Sequence, residues 1–575
     1  VGVGNRPSFR RRILAPRLKR KRHGTRALFT TRSQLSPSSS SLSQILPILS
    51  SRRTSGDKMT NEGVGEWYSG RSVFITGGTG YMGKVLIEKL LRDCGDVKFI
   101  YVLCRPKRGF SPAARIEQIR KLAVFDRLRT ECPERLKKIK AMEGDLGQPG
   151  LGLSDENKSI LINEVSIVFN GAASLRLESG LKDAIRHNTT GTKHVLDLAV
   201  QMNKLASFVH LSTAFCHCEY DTLDETIYPS PANPEDVMRA VEWMDDHTIE
   251  IITPRLLGPH PNCYTYSKRL AESLVSQYAN RIPISVARPS IVTPAFKEPV
   301  PGWVDSLNGP VGVIVAGGKG VIRSVLCSPD YEAEVVPVDI AINALILIAW
   351  KRTMINNEMD DTVPCYNISK GDIVHLTWGE TLAKGKRYAY EYPFDAGLWY
   401  PNGSIRTNKL VHYFIVFWLQ VVPAYLIDGI MVLARQKTFM VRVQKRIAVG
   451  MEVLQYFTMR SWNFKIENTK ALINGLNEVD MKKFFIQNTD VDIEKYMIQV
   501  LLGARQYCMK EPLATLDRAR FHLKLLYWLN LATQLLFGFF LLWVFVRAFD
   551  SFKFLLDSTT SSFTNVPIIG SLIPK

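Results

Sequence analysis

The sequence predicts a doubly wound parallel α/β sheet, a mostly helical domain after it, and a membrane-anchor helix near the C-terminus. Three observations predict this. From Arg71 to about Ser290, apolar runs alternate with amphipathic segments, the pattern of strands buried on both faces beneath covering helices. The first run breaks directly into a glycine-rich turn, Thr76-Gly-Gly-Thr-Gly-Tyr-Met-Gly83, and then a helix. Far downstream, the twenty-two residues Leu525 to Val546 carry no formal charge.

At 575 residues the chain exceeds one ordinary core, and its 46% apolar content allows large ones. The net charge of +19 is unevenly placed: residues 1–58 hold fourteen Lys and Arg against Asp57 alone, +13, leaving +6 for the rest. This Arg-, Ser- and Pro-rich leader has no sustained apolar period and stands outside the domain argument. Its scarcity of acids fits a mitochondrial transit peptide, Lys19-Arg-Lys-Arg22 fits a nucleic-acid-binding arm, and its place before Met59 fits translated upstream sequence, the preferred reading. No nucleic-acid partner is expected of the globular part. The nine Cys form no C-x-x-C pair, and Cys216 and Cys218 are poorly spaced for a metal site, so reduced thiols and no metal are expected.

The first domain is expected over 59–350, with strands at Val73 to Thr76, Val97 to Cys104, Ile139 to Gly144, Val165 to Phe169, Phe208 to Ser212 and Ile284 to Ala287. Helical patterns lie between them, notably Tyr81 to Arg92, Leu181 to Gln201 and Tyr264 to Asn280. Gly77, Gly80 and Gly83 stand at G-x-x-G-x-x-G spacing after the first strand: a tight turn, a close approach to a pyrophosphate, and helix-on-strand packing. The phosphates would sit at the helix start, at Tyr81 and Met82, where free N–H groups and the helix dipole favour negative charge. Twenty-two residues after Gly83, where a free ribose 2′-OH would normally meet an acid, stand Arg105 and Lys107. Cations there suit a 2′-phosphate and favour NADPH. Asp145, with Leu146, ends the third strand where it could reach the adenine, and Ala172 in Asn170-Gly-Ala-Ala173 lets the dinucleotide pass close to the backbone.

Tyr264 and Lys268 lie one helical turn apart, so phenol and ammonium share a face. A group must give a proton to a carbonyl as hydride arrives, and moving a tyrosine from about 10 towards 7 takes roughly 4 kcal/mol of preference for phenolate, which the ammonium could partly supply. Tyr266 lies on another face. Ser212 or Thr213, closing an earlier strand, would hydrogen-bond the substrate oxygen, and Asn188 lies in an earlier helix.

Between Pro294 and Pro310 the chain is dense in Pro and Gly, as in a substrate loop or lid. An aromatic-rich second domain is expected over 365–510. Val411 to Ile427 is apolar but broken by Pro423, which fits a dip into the bilayer, an acyl pocket or a core helix pair, and it is not counted as a span. Leu525 to Val546, at about 33 Å, can cross a hydrocarbon core of about 30 Å; the basic residues before it mildly favour a cytosolic catalytic side, and 547–575 is a tail. Arg105 to Lys140, with twelve cations against four acids, reads mainly as a solvated charged helix pair, with phosphate groups or an anionic membrane as the alternative.

Taken in order, the cofactor turn, Gly144-Asp145-Leu146, Leu151-Gly-Leu-Ser154, Leu211-Ser-Thr-Ala214, Tyr264 with Lys268, Arg288-Pro-Ser-Ile-Val292, Pro301-Gly-Trp-Val-Asp305 and Val336-Pro-Val-Asp339 resemble the alcohol-forming fatty acyl-CoA reductases, extended short-chain dehydrogenases of Rossmann-like fold. Tyr366-Asn367, Thr377-Trp-Gly-Glu380, Pro423-Ala-Tyr-Leu-Ile-Asp428 and Trp462-Asn-Phe464 extend the resemblance, which covers about Met59 to Lys510. It implies reduction of a long-chain acyl-CoA to a primary alcohol through a thiohemiacetal and an aldehyde with two NADPH, a C-terminal anchor in peroxisomal or endoplasmic-reticulum membrane, and Thr213 slightly before Ser212 as the catalytic hydroxyl. Asn170 stands where relatives often carry His, Leu177 where Phe is usual, and Tyr81-Met82 replaces Phe-Leu, departures that bear on chain length more than on activity. The rival readings are a membrane-bound sterol or hydroxysteroid dehydrogenase, which leaves the second domain unexplained, and a silent NADPH-binding scaffold, which leaves Tyr264 and Lys268 unexplained.

Overall fold

Seven short runs of the chain, each apolar enough to lie under helices, pair in parallel into one sheet. They are β1 (Ser72–Thr76), β2 (Ile100–Cys104), β3 (Ile139–Glu143), β4 (Val165–Asn170), β5 (Ser207–Leu211), β6 (Ile284–Pro289) and β7 (Cys365–Ile368). The computed structural model describes residues 63–355, 362–370, 375–487 and 492–564, so the leader 1–58 and the last part of the tail lie outside the described residues. The strand order is β7-β6-β5-β4-β1-β2-β3. The order reverses between β1 and β4, and the crevice outside the carboxyl ends of those two strands is where such sheets bind ligands. Thr76 and Asn170, the last residues of β1 and β4, are register partners at that point.

The expected strands and their helices are present: α1 (Tyr81–Asp93) follows β1, α2 (Gly191–Ala199) precedes β5, and α3 (Cys263–Ser276) precedes β6. The expected Leu181-to-Gln201 helix is interrupted by a π turn over Ile185–Thr190 that contains Asn188. β7 is a sheet strand that none of the expected strands covers. The expected start of the second domain at 365 falls on this strand, which pairs with β6 from Cys365↔Val286 to Ile368↔Pro289. Between β6 and β7 runs α4 (Val338–Arg352), in which every residue from Val338 to Trp350 is buried. A helix apolar on all sides belongs in a core, and this one packs against β5, β6 and α1.

The later helices include α5 (Lys409–Val416), joined by a π turn over Phe417–Val421 to α6 (Val422–Leu433), then α7 (Met440–Thr458), α8 (Ile493–Gly503) and α9 (Leu516–Thr564). They are tied to the sheet region by two short parallel pairings, Ser404–Arg406 with Ser324–Leu326 and Asn463–Phe464 with Thr222–Leu223. Phe215 meets Phe457, Trp462 and Phe464 edge-on at 5.1 to 5.3 Å. Glu225 accepts from the Asn367 N–H at 2.8 Å and the Thr469 N–H at 3.1 Å, so one carboxylate joins β7 to the later domain. Two helical stretches, Lys409–Leu433 and Leu513–Lys553, are long and apolar enough to cross a membrane, and only 17% and 6% of their most apolar windows are buried. The core-helix reading of Val411 to Ile427 therefore does not hold, because Phe414, Trp418 and Tyr425 are each more than half exposed.

Candidate active site

A cleft of 1120 Å³ opens at the carboxyl ends of the strands, and the glycine turn forms one wall of it. Gly77 has φ +78°, and a Cβ there would lie 2.8 Å from the Ala172 nitrogen. A Cβ on Gly83 would lie 2.4 Å from the Gly77 carbonyl oxygen. Both positions therefore need glycine, the first for conformation and the second for contact. The Gly80 N–H donates to the Gly77 carbonyl at 2.8 Å, closing the turn just where α1 begins. Thr76 ties this wall to the next strand: its hydroxyl donates to Asn170 Oδ1 at 2.7 Å and accepts from the Ala172 N–H at 3.1 Å. Backbone bare of side chains at a helix N-terminus is a fit for a dinucleotide's pyrophosphate.

Thr76, Gly77, Gly80, Tyr81, Met82, Gly83, Arg105, Lys107, Asp145, Leu146 and Ala172 all line the cleft, as do Ser212, Thr213, Tyr264 and Lys268. Asn188 does not. It is buried behind the wall, where its Oδ1 accepts from the Ser174 N–H at 2.8 Å and its Nδ2 donates to Ser267 Oγ at 2.9 Å. It thus braces the Ala173–Ser174 edge of the cleft against α3 from within a π turn, a distortion often found beside functional sites. Tyr81 does more than open a helix. Its ring stacks on Trp303 at 5.4 Å, and its hydroxyl donates to the carbonyls of Thr293 at 3.0 Å and Trp303 at 3.3 Å. The Pro- and Gly-rich segment after Thr293 therefore rests on the cofactor turn, with Asp305, Ser306 and Asn308 facing the cleft. Asp339 holds that segment from below, accepting from the N–H groups of Phe296, Lys297 and Glu298 at 2.7 to 3.1 Å.

Arg105 is 56% exposed at its side chain and bridges Asp145 Oδ2 at 3.4 Å. Partial burial opposes it, but the Gly147 N–H and the Arg105 guanidinium hold the Asp145 carboxyl below the usual range. Arg115, one of the cations of the charged segment Arg105 to Lys140, also lines the cleft and donates to Thr79 Oγ1 at 3.3 Å and to the Arg105 carbonyl. Its helical period gave no sign of this, because the contact is made across the loop after β2.

On the opposite wall, α3 begins at Asn262, whose side chain caps the Thr265 N–H at 3.0 Å and fixes where Tyr264 and Lys268 point. Lys268 is buried, and its ammonium donates to the carbonyl of Leu211, the last residue of β5, at 2.6 Å. Burial lowers it to about 8, opposed in part by nearby Cys216 and Glu272. The Tyr264 phenol does not show the expected downward shift. Burial of its hydroxyl holds it above the ordinary tyrosine value, Cys216 adds to this, and a hydrogen bond with the Thr213 side chain opposes it. The two hydroxyls after β5 diverge: Thr213 meets the phenol, while Ser212 Oγ donates to Cys216 Sγ at 3.6 Å.

Behind this wall lies a buried charge network that no spacing rule announced. Arg288 forks onto Glu272 through Nε at 2.9 Å and Nη2 at 2.7 Å. His217 Nε2 also reaches Glu272 at 2.9 Å, and the Cys216 thiol donates to the same carboxylate at 3.1 Å. Glu272 is held well below the usual carboxylate range: burial opposes this, and Arg288 followed by His217 overcomes it. Cys216, His217 and Glu272 present three donor types together. The Arg288 guanidinium already neutralises the carboxylate, so the cluster is an ion pair supporting α3 and β6.

The chain matches the male sterility protein NAD-binding family over residues 75–345 and a second male sterility protein family, the Sterile domain, over 419–511. It is 37% identical over 462 residues to human fatty acyl-CoA reductase 1, covering 80% of this chain and 88% of that one. This chain belongs to the fatty acyl-CoA reductase family. Bovine fatty acyl-CoA reductase 2 is 34% identical over 519 residues, which is 88% of this chain and 99% of that one. At the level of fold, the terminal R domain from the myxalamid PKS-NRPS biosynthetic pathway superposes with a TM-score of 0.50 at 17% identity, covering 77% of this chain and 93% of that chain. The fatty acyl-CoA reductase described here is thus an oxidoreductase whose sheet domain binds a nicotinamide cofactor.

Proposed function

We propose that this fatty acyl-CoA reductase converts a long-chain acyl-CoA to the primary alcohol and free CoA, using two NADPH. The observation that carries the reading is the meeting of Thr213, Tyr264 and Lys268 in the same cleft as the glycine turn. When bound, the cofactor supplies hydride to the acyl carbonyl carbon. Thr213 and the Tyr264 hydroxyl bind the carbonyl oxygen and stabilise the negative charge that grows on it. Tyr264, held protonated by its buried setting, has a proton to give to that oxygen. Lys268, anchored on Leu211, offsets the phenolate left behind with its positive charge. The resulting thiohemiacetal loses CoA, and the aldehyde is reduced at the same residues. Gly77, Gly80 and Gly83 receive the pyrophosphate, while Arg105, with Lys107 and Arg115 beside it, receives the 2′-phosphate and selects NADPH over NADH. In this reading Leu525 to Val546 anchors the protein in a peroxisomal or endoplasmic-reticulum membrane with the cleft facing the cytosol.

The test incubates purified full-length protein with NADPH and acyl-CoAs of graded length, then identifies products by mass. Alcohol formed at two NADPH per thioester supports the reading, and aldehyde accumulating at one NADPH per thioester refutes its alcohol-forming half.

A further inference from the structure

The α5–α6 stretch differs from α9 in how it is held. Its one docked face is pinned at the first turn, the middle and the last. Ser324 Oγ and His412 Nδ1 share a hydrogen bond at 2.8 Å, Gln420 Oε1 accepts from the Arg323 N–H at 2.6 Å, and Asp428 accepts from the N–H groups of Phe439, Met440 and Val441 at 2.8 to 3.1 Å. From His412 to Asp428 is about 24 Å of helix at 1.5 Å per residue, most of a bilayer's hydrocarbon thickness. A helix tied to the protein body over that length cannot cross a bilayer without taking the body with it.

Its other face is apolar and open. Leu410, Phe414, Phe417, Trp418, Tyr425 and Ile430 are each at least half exposed. Cations bracket this face, with Lys409 at its start and Arg435 and Lys437 just past its end, and exposed Arg442, Lys445 and Arg446 follow on α7. Asp428 is the only acid from 409 to 451, and it is turned inward under three N–H groups. Apolar and aromatic side chains rimmed by unopposed positive charge complement a lipid surface with anionic headgroups.

The same support also carries the base of the anchor. Arg323, whose N–H meets Gln420, sends its guanidinium to the Tyr400 carbonyl at 3.1 Å. Tyr400 meets Tyr527 of α9 edge-on at 5.4 Å, and Trp399 Nε1 donates to Asn530 Oδ1 of α9 at 2.9 Å. The open face of α5–α6 and the exposed part of α9 thus spring from one patch of the protein.

We propose that α5–α6 is a second membrane contact that lies flat in the interface of an anionic bilayer, with its apolar face among the upper acyl chains and its flanking Lys and Arg among the headgroups. It seats the catalytic body on the membrane that α9 anchors it to.

The test reconstitutes the full chain in phosphatidylcholine vesicles with or without phosphatidylserine. Each preparation holds a phospholipid with a photoactivatable group either just below the headgroup or at the acyl-chain end, and labelled peptides are mapped by mass spectrometry. The expected result is labelling of 409–433 along its length by the shallow probe alone, increased by phosphatidylserine, while 525–546 is labelled by both probes. Arg435→Glu combined with Lys437→Glu and Arg442→Glu removes the phosphatidylserine effect on 409–433. It leaves the labelling of 525–546 unchanged, which shows that the variant is inserted, and an unchanged thermal unfolding midpoint shows that its body is folded. Deep-probe labelling in the middle of 409–433 would make the segment a span and overturn the proposal. Absence of label there from either probe would mean that water or another protein surface covers it, and would overturn it equally. Neither readout depends on catalysis, so loss of this proposal and loss of the proposed reaction are distinguishable.

Discussion

The two walls of the cleft are built on opposite principles. The glycine-turn wall depends on side chains that are not there: Gly83 and Gly77 leave room only for backbone. The Tyr264 wall depends on charges that are, since α3 carries Tyr264, Lys268 and Glu272 on successive turns and Arg288 locks the last of them. The first wall should therefore fail by steric intrusion and the second by loss of electrostatic balance, and these failures differ in size and in readout.

The largest effect is expected at Gly83→Val. Branched carbon cannot fit where even Cβ would be 2.4 Å from the Gly77 carbonyl oxygen. Calorimetric titration with NADPH should find no uptake, and retained affinity would break the steric half of the comparison. Tyr264→Phe should lower alcohol formation by about 100- to 10,000-fold, the usual range for a lost proton donor, with NADPH affinity kept. A phenylalanine enzyme near full rate would remove the proposed acid. Glu272→Ala leaves Arg288 buried without its carboxylate and should cost about 3 to 5 kcal/mol in denaturant unfolding. If the midpoint barely moves, the network is not what supports this wall.

Smaller effects sharpen the contrast. Arg105→Ala removes one charge-assisted hydrogen bond of roughly 1.5 to 3 kcal/mol and should raise the KM for NADPH about ten- to a hundredfold while leaving that for NADH alone. Lys268 gives the mildest signal. Because burial brings it to about 8, the rate should decline as pH rises through that value, and Lys268→Arg should move the decline upward. Its effect on stability has the other sign. Between about 8 and the ordinary value of 10.5 the unfolded chain holds the extra proton, so this residue's contribution to stability rises with pH there.

What could be read in advance divides along the same line. Gly77, Gly80, Gly83, Tyr264 and Lys268 are local patterns, and spacing within one turn or one helix is enough to place them. The partners of Glu272 come from β6 and from the segment after β5, a convergence that only the folded sheet creates. Arg115 was hidden for the same reason, its contact running back to Thr79 across a loop. The hydroxyls of Ser212 and Thr213 are adjacent in sequence and point to different neighbours, which residue type alone does not resolve. The π turn at Asn188 likewise leaves no mark on an otherwise helical pattern.

The rim strand β7 has a consequence for how the polypeptide can be divided. The Val286 N–H donates to the Pro364 carbonyl at 2.9 Å and the Ser290 N–H to that of Ile368 at 2.8 Å, so the sheet is sealed by residues that arrive only after α4. A fragment ending at residue 345, where the NAD-binding family match stops, would bare the flank of β6 and invite strand-to-strand association. Nascent chain leaving the ribosome passes through that same unsealed condition until about Ile368 emerges, which makes the nucleotide half dependent for its solubility on what is translated next.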